Sequence, residues 1–305
     1  MKTQQKRIFL PLILVFTLLL PVIPGLKHNT ACAEKKKIIL KQANSLAGGE
    51  ERSPITGKLE TVRSVSGNVV FEHNDILLRC NKATEFSESN LISLEGGLSI
   101  LSPSFDIRSN RGIYYPLSDT AKLLDNVRGK TQKSGLTFKA SKADIDNRNN
   151  RIRLITNAVA WHDTQQLSGD TIMVQLSKGK KRVESITVTG RAFLAFRDSV
   201  QQDPGLYNQI SGETMVISLD RKQNLSRIDV NTQAELLYHT FENETPSGVN
   251  YTSGNSIVMQ FADNALQRVM AYRNVNGKQY PASMRSQSGI NLPGFRIRDE
   301  EKPVL

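Results

Sequence analysis

Cysteine is nearly missing from this chain of 305 residues: Cys32 and Cys80 are its only two. Two cysteines build neither a disulfide scaffold nor a Cys-based zinc motif. Catalytic signatures are missing as well. There is no Gly-x-Ser-x-Gly elbow, no P-loop and no Gly-x-Gly-x-x-Gly fingerprint. Long apolar runs are confined to one N-terminal stretch, which excludes a polytopic membrane protein. Aromatic residues make up 6% of the chain and are not interleaved with its basic runs, which disfavours nucleic acid as a partner. What the chain has in excess is positive charge. Its 40 Lys+Arg against 29 Asp+Glu give +11, which points to an acidic partner or surface. The charged fraction of 23% is ordinary, so the chain is not disordered as a whole. The length suffices for one large β domain or two ordinary domains.

The N-terminus reads as a targeting segment. Lys2, Lys6 and Arg7 form a basic region, and residues 8–20 are apolar except for Pro11 and Thr17. Pro21, Pro24 and Gly25 then break any helix, and Ala31-Cys32-Ala33 offers small residues where a signal peptidase reads. Cleavage is expected before Glu34. The rival reading is an uncleaved anchor, but the run falls short of the roughly 20 residues a spanning helix needs. Export of residues 34–305 leaves a formal charge of +7 and Cys80 as the only thiol. Cys80 follows Ile76 and Leu78 in an alternating apolar set, so it reads as a small buried hydrophobe rather than a nucleophile.

Beyond the N-terminus the chain repeats itself. One unit runs Gly67-Asn68-Val69-Val70-Phe71, turns at Asn74-Asp75, continues Ile76-Leu77-Leu78 and passes Lys82-Ala83. Later units begin at Gly96-Gly97-Leu98, Asp125-Asn126-Val127, Asn157-Ala158-Val159, Gly190-Arg191-Ala192 and Gln233-Ala234. Their first apolar positions fall at 69, 98, 127, 159, 192 and 234. Steps of 29, 29, 32, 33 and 42 residues are the mark of a repeat architecture whose later units are longer. Within units, apolar residues alternate with polar ones, as in Ile76/Leu78/Cys80, Leu136/Phe138/Ala140 and Ile257/Met259/Phe261. Alternation predicts half-buried strands. A short helix over residues 36–46 competes there with a strand followed by a corner. The expected fold is all-β: stacked antiparallel strand repeats forming a twisted open roll, or β-jellyroll. It should occupy residues 34–281, with an extended tail lacking regular structure over 282–305. Each unit buries its apolar face only by stacking on its neighbours, and the end units leave open strand edges.

The pairing of Gly-Asn-Val-Val-Phe (67–71) with Lys-Ala-Thr (82–84), and of Asp-Asn-Val (125–127) with Lys-Ala-Asp (142–144), resembles the OstA-like family. These are the LptA/LptC-type periplasmic proteins of lipopolysaccharide transport. The resemblance spans residues 38–281 and rests on short, degenerate motifs. Ala192 and Ala234 replace the usual Val, and insertions fall at 198–209 and 242–251. What it implies is a V- or U-shaped roll whose groove holds the acyl chains of lipopolysaccharide or a related anionic glycolipid. It also implies other OstA-like transport proteins, or head-to-tail copies, as partners through the open edges. The setting would be the periplasm, as a soluble bridge or, with the leader retained, an inner-membrane receiver. No enzymatic activity and no cofactor are expected.

The candidate chemistry is thin. His73, His162 and His239 lie in different units without ligand spacing, so they read as turn or surface residues and no metal is expected. Asn44, Asp144, Asp170, Glu213 and Asn255 recur by unit and read as corner hydrogen-bonding groups, not as a calcium ladder. Basic runs at Lys35-Lys36-Lys37, at 148–153 and at 178–182 are read first as solvated strand ends, with anionic headgroups as the sharper alternative. The best candidate for a lipid-binding groove is the inward apolar set Val69, Phe71, Ile76, Leu78, Ile100, Phe105, Ile107, Leu136, Phe138 and Leu194. The competing reading is a packed scaffold or adhesion protein whose interior is filled, because alternation reports burial and not a ligand.

Overall fold

In a computed structural model of the chain, residues 38–305 are described except 74–75, 104, 133–134, 179–181, 198–204, 244 and 263–264. The expected leader, the Lys35-Lys36-Lys37 run, the Asn74-Asp75 turn and most of the 178–182 run lie outside the described residues.

Sixteen strands form one open antiparallel sheet among the described residues. They are β1 (Ile39–Gln42), β2 (Ser45–Arg52), β3 (Leu59–His73), β4 (Ile76–Phe86), β5 (Leu91–Leu101) and β6 (Phe105–Tyr115). There follow β7 (Thr120–Thr131), β8 (Thr137–Asp146), β9 (Arg151–His162), β10 (Gln165–Leu176) and β11 (Val183–Phe196). The last are β12 (Asn208–Leu219), β13 (Leu225–Glu242), β14 (Thr245–Ala262), β15 (Ala265–Tyr272) and β16 (Asn276–Pro281). From β3 to β15 each strand pairs with the next in sequence. β1 and β2 both pair with β3, and β15 and β16 both pair with β14. Each of these terminal pairs is therefore one strand interrupted at its middle.

The interruption is the rule of the fold. Consecutive left-handed residues stand at 67–68, 96–97, 125–126, 156–157, 190–191, 232–233 and 273–274. The ladders skip register at the same places, for example between Ser66 and Val69 and between Leu124 and Val127. Each odd-numbered strand from β3 to β13 thus carries a bulge that turns it from one wall into a second, and Arg273-Asn274 makes the same turn between β15 and β16. Asn, Asp and Gly enter the left-handed region at little cost, which is why they dominate the first three corners. The neighbouring strands, or the break between β1 and β2, place a polar residue opposite. Asn44 and Asn81 sit against Gly67 and Gly96, where any Cβ would collide with them. Asp170 meets both Gly190 and the Arg191 guanidinium.

We designate as wall A the halves that include 59–66, 82–86 and 91–95, and as wall B the halves that include 69–73, 76–80 and 98–101. One apolar cluster fills the space between them, from Val65 and Ala83 in wall A to Val69 and Leu98 in wall B. Two smaller clusters lie on the outer faces. Val62, Phe86, Leu91 and Ile113 pack outside wall A. Outside wall B, Phe193, Tyr207, Leu237 and Val249 pack with Ile290, Leu292 and Phe295 of the C-terminal segment.

Some expectations are corrected. Gly67-Asn68, where the first full unit was taken to begin, is the corner inside β3, and the strand begins at Leu59. Asp144 is not a corner residue. It lies in the wall A ladder opposite Arg153, with an ion pair of 3.3 Å, and the β8 corner falls at Ser141 in the gap of the ladder. The short-helix alternative for 36–46 is replaced by β1, a break at Ala43-Asn44 and β2. His162 and His239 are buried rather than at turns or the surface.

Candidate functional site

The ten candidate residues belong to wall B or to the turn that feeds it, and the alternation places nine of them in or against the interior cluster. Val69, Ile107, Leu136, Phe138 and Leu194 are buried members of it. Phe71, Leu78, Ile100 and Phe105 are half-buried and pack against it. Ile76 is also half-buried but is not part of the cluster.

One row across wall B shows how these residues differ. Cross-strand pairing links Phe71 to Leu78, Leu78 to Ile100, Ile100 to Ile107, Gly129 to Phe138, Phe138 to Ala160, Ala160 to Leu167, Leu167 to Leu194 and Leu194 to Ile210. Along this row exposure falls steadily. The first three are half-buried, Ile107 and Phe138 are 9% exposed, and Leu194 and Ile210 are 1% and 0% exposed. Wall A repeats the trend. Ile92, Ile145 and Ile152 are half-buried, whereas Ile186, Ile228 and Met259 are sealed. The interior is therefore more tightly closed from β10 to β14, where Leu219 and Tyr238 are the half-buried apolar members among the described residues, and forms a partly open apolar trough from β3 to β9. Phe138 stands at the transition, and Gly129 opposite it supplies the room, since a Cβ there would enter the Phe138 ring.

The trough brings few reactive groups together among the described residues. Cys80 lies on its floor, and burial pushes its thiol up to about 11, so it stays protonated and unreactive. His162 is 6% exposed, and its Nδ1 is 3.6 Å from the exposed Asp163 carboxylate, too far for a hydrogen bond. Among the described residues no group of His, Cys, Asp and Glu could hold a metal ion. The basic run at 148–153 is tied down locally: Arg148 donates to the Leu117 carbonyl, Arg151 to Gln175 and Arg153 pairs with Asp144.

The sheet keeps two open edges. At one, Ile39, Leu40 and Leu46 are exposed, with Leu46 at 76%. At the other, Val269 and Tyr272 of β15 are exposed. Unpaired edges carrying apolar side chains are templates for further strands.

A feature that sequence reasoning missed is the seat of residues 282–305. Three single 3-10 turns, Ala282–Met284, Ser288–Ile290 and Asp299–Glu301, are joined into a strap across the outer face of wall B. Arg285 stacks on Phe241 of β13. Gln209 of β12 donates to Asn291 Oδ1 and accepts from Leu292 N. Phe295 meets Phe193 of β11. Gln166 of β10 donates to the Arg296 carbonyl and accepts from Arg298 N. Lys139 of β8 pairs with Glu301, and Lys130 of β7 donates to the Leu305 carbonyl. The signal available in sequence was weak: apolar Ile290, Leu292, Phe295 and Ile297 in a stretch otherwise rich in Ser, Gly and charge.

Residues 35–144 match the model of the OstA-like protein family. The crystal structure of LptH, described as the LptA homologous periplasmic component of the conserved lipopolysaccharide transport device from Pseudomonas aeruginosa, is similar at 18% identity. That match covers 49% of this chain and 98% of the other, with a TM-score of 0.37. No curated protein matches the chain.

Proposed function

We propose that this chain is a non-enzymatic component of lipopolysaccharide transport in the periplasm. In this reading it carries the acyl chains of lipopolysaccharide, or of a related anionic glycolipid, in the open half of its interior. The observation that carries the reading is the exposure gradient. Phe71, Leu78 and Ile100 in wall B, and Ile92, Ile145 and Ile152 in wall A, present apolar surface that the protein does not cover itself. Each methylene sheltered there gains about 0.8 kcal/mol, while a charged headgroup stays in water at the open side. The OstA-like match falls on this same half of the chain.

Val69, Leu136 and Leu194 are each 1% exposed and serve a different purpose. They form the packed floor and back of the trough, so the filled-core reading applies to them. The exposed edges at β1–β2 and β15–β16 are the proposed contacts with other OstA-like proteins or with further copies, by strand addition. Delivery to the periplasm is assigned to residues 1–33.

The test is photocrosslinking in cells. A photoreactive amino acid at Phe71, Ile100 or Phe138 should yield a lipopolysaccharide adduct. The same probe at the outward Ser99 or at the sealed Ile210 should not. Folded, exported protein without adducts at Phe71 and Ile100 would overturn the lipid reading in favour of a scaffold.

A further inference from the structure

The outer face of wall B carries a line of cations. Cross-strand pairing sets Arg79 opposite Ser99, Ser99 opposite Arg108, Arg108 opposite Arg128 and Arg128 opposite Lys139. Three like charges thus stand on directly opposed positions of β6, β7 and β8. Such an arrangement costs stability, so packing alone does not account for it. The line runs roughly 19 Å, four strand spacings, from Arg79 to Lys139.

The groups facing the line are few. Asp106 is held by Arg108 on its own strand at 3.0 Å, and Glu72 by Lys41 at 3.1 Å. Lys130 donates to the Leu305 carbonyl. Lys139 is neutralised by Glu301 of the strap at 2.6 Å. Arg79 and Arg128 are exposed and have no ion-pair or hydrogen-bond partner among the described residues.

We propose that the outer face of wall B from β4 to β8 docks an acidic, extended polypeptide segment of a partner protein, and that Glu301 occupies the last cation of this surface as a resident competitor. The strap itself demonstrates the mode. It crosses the same wall, strand after strand, fixed by one polar anchor on β12, one on β10 and one on β8. Its acidic turn, Asp299–Glu301, lands where the cation line begins, and its last residue reaches β7. A partner segment would continue that path over Arg128, Arg108 and Arg79. About six residues at roughly 3.4 Å each would span the line. The surface faces away from the trough, so this docking is independent of the lipid reading.

The probe is a fluorescent peptide of about six Asp and Glu residues, long enough for the line. Binding to the full chain would be followed by anisotropy at low ionic strength, where exposed charges are least screened. The peptide should bind, and R79E/R128E should weaken it about tenfold or more, about 1.4 kcal/mol. R79Q/R128Q should weaken it less, and both variants should keep the wild-type melting curve. E301Q should tighten binding severalfold by freeing Lys139. Peptide binding that is indifferent to R79E/R128E would overturn the proposal. So would an E301Q variant that binds no better than the parent, as regards the competitor. Vesicles rich in phosphatidylglycerol serve as the counter-probe. Binding to them that depends on Arg79 and Arg128, with no peptide binding, would overturn the acidic-segment assignment and make the face a membrane contact.

Discussion

Lys139 Nζ lies 2.6 Å from Glu301 Oε2, a contact that joins the middle of the sheet to the end of the strap. Neighbouring Phe138 points the other way, into the interior. One strand thus serves two surfaces: the transition in the trough inside and the seat of the strap outside. The Arg298 guanidinium, with Lys139 beside it, holds the Glu301 carboxyl at about 2, well below its ordinary 4.5. A depressed carboxylate stabilises the docked form above its undocked pKa and loses that contribution as pH falls toward the docked one. Strap docking should therefore be intact above about pH 5 and weaken progressively between about pH 4.5 and 2. Trp161 is the chain's only tryptophan. It is buried and stands opposite Gln166, which anchors the strap. Its emission should shift to the red across that pH window in the wild type, and E301Q should lose this step. An identical transition in both would refute the assignment.

Removing the strap uncovers apolar surface. Phe295 packs against Phe193 and Tyr207, with ring centroids 6.2 and 5.9 Å away. Phe295→Ala should destabilise the chain by about 2 kcal/mol, below the usual cost for a fully buried Phe because this one is partly exposed. Urea denaturation measures it. A change under about 0.5 kcal/mol, the range of ordinary surface substitutions, would mean the strap is only loosely seated.

The two halves of the interior should answer differently to charge. Ile210→Asp places an unpaired carboxylate in the sealed half and should unfold the protein or cost several kcal/mol. Ile100→Asp lies in the open trough and should leave a folded protein with a modestly lowered melting temperature. Circular dichroism on both decides it. Equal damage would mean the trough is as closed as the core behind it.

Gly129 has an ordinary backbone conformation, so only space constrains it. Gly129→Ala drives a methyl into the Phe138 ring and should cost about 1–3 kcal/mol. Gly129→Ala/Phe138→Leu should recover part of that loss, and a melting curve of the double variant would show whether the two sites couple.

The corners have a different vulnerability. Gly67 sits at a φ of +77° with Asn44 against it. Gly67→Val adds both backbone strain and a collision and should cost about 2–3 kcal/mol. At Asn126, where φ is +56°, Asn126→Gly should be neutral or slightly stabilising. Thermal melts of the two variants check the sign at each.

Period-two alternation was legible in the sequence because a strand sends successive side chains to opposite faces. The strand content, the inward set from Val69 to Leu194 and the repeat spacing all follow from that local rule. The spacing marked the residue just after the left-handed pair in five of the six units, and one residue later at Val159, so it located the corners while placing them at the beginnings of the units. Asp144 was misjudged because Lys-Ala-Asp resembles a corner in composition, and only ladder register shows that it pairs with Arg153. Local pattern carries no information on how closely two walls approach. The same alternation therefore describes half-open Ile100 and sealed Ile210, and their difference was decided by tertiary convergence of the walls. The seat of the strap was decided there too. Its anchors at Gln209, Gln166, Lys139 and Lys130 come from separate strands and form one surface only once the sheet has assembled.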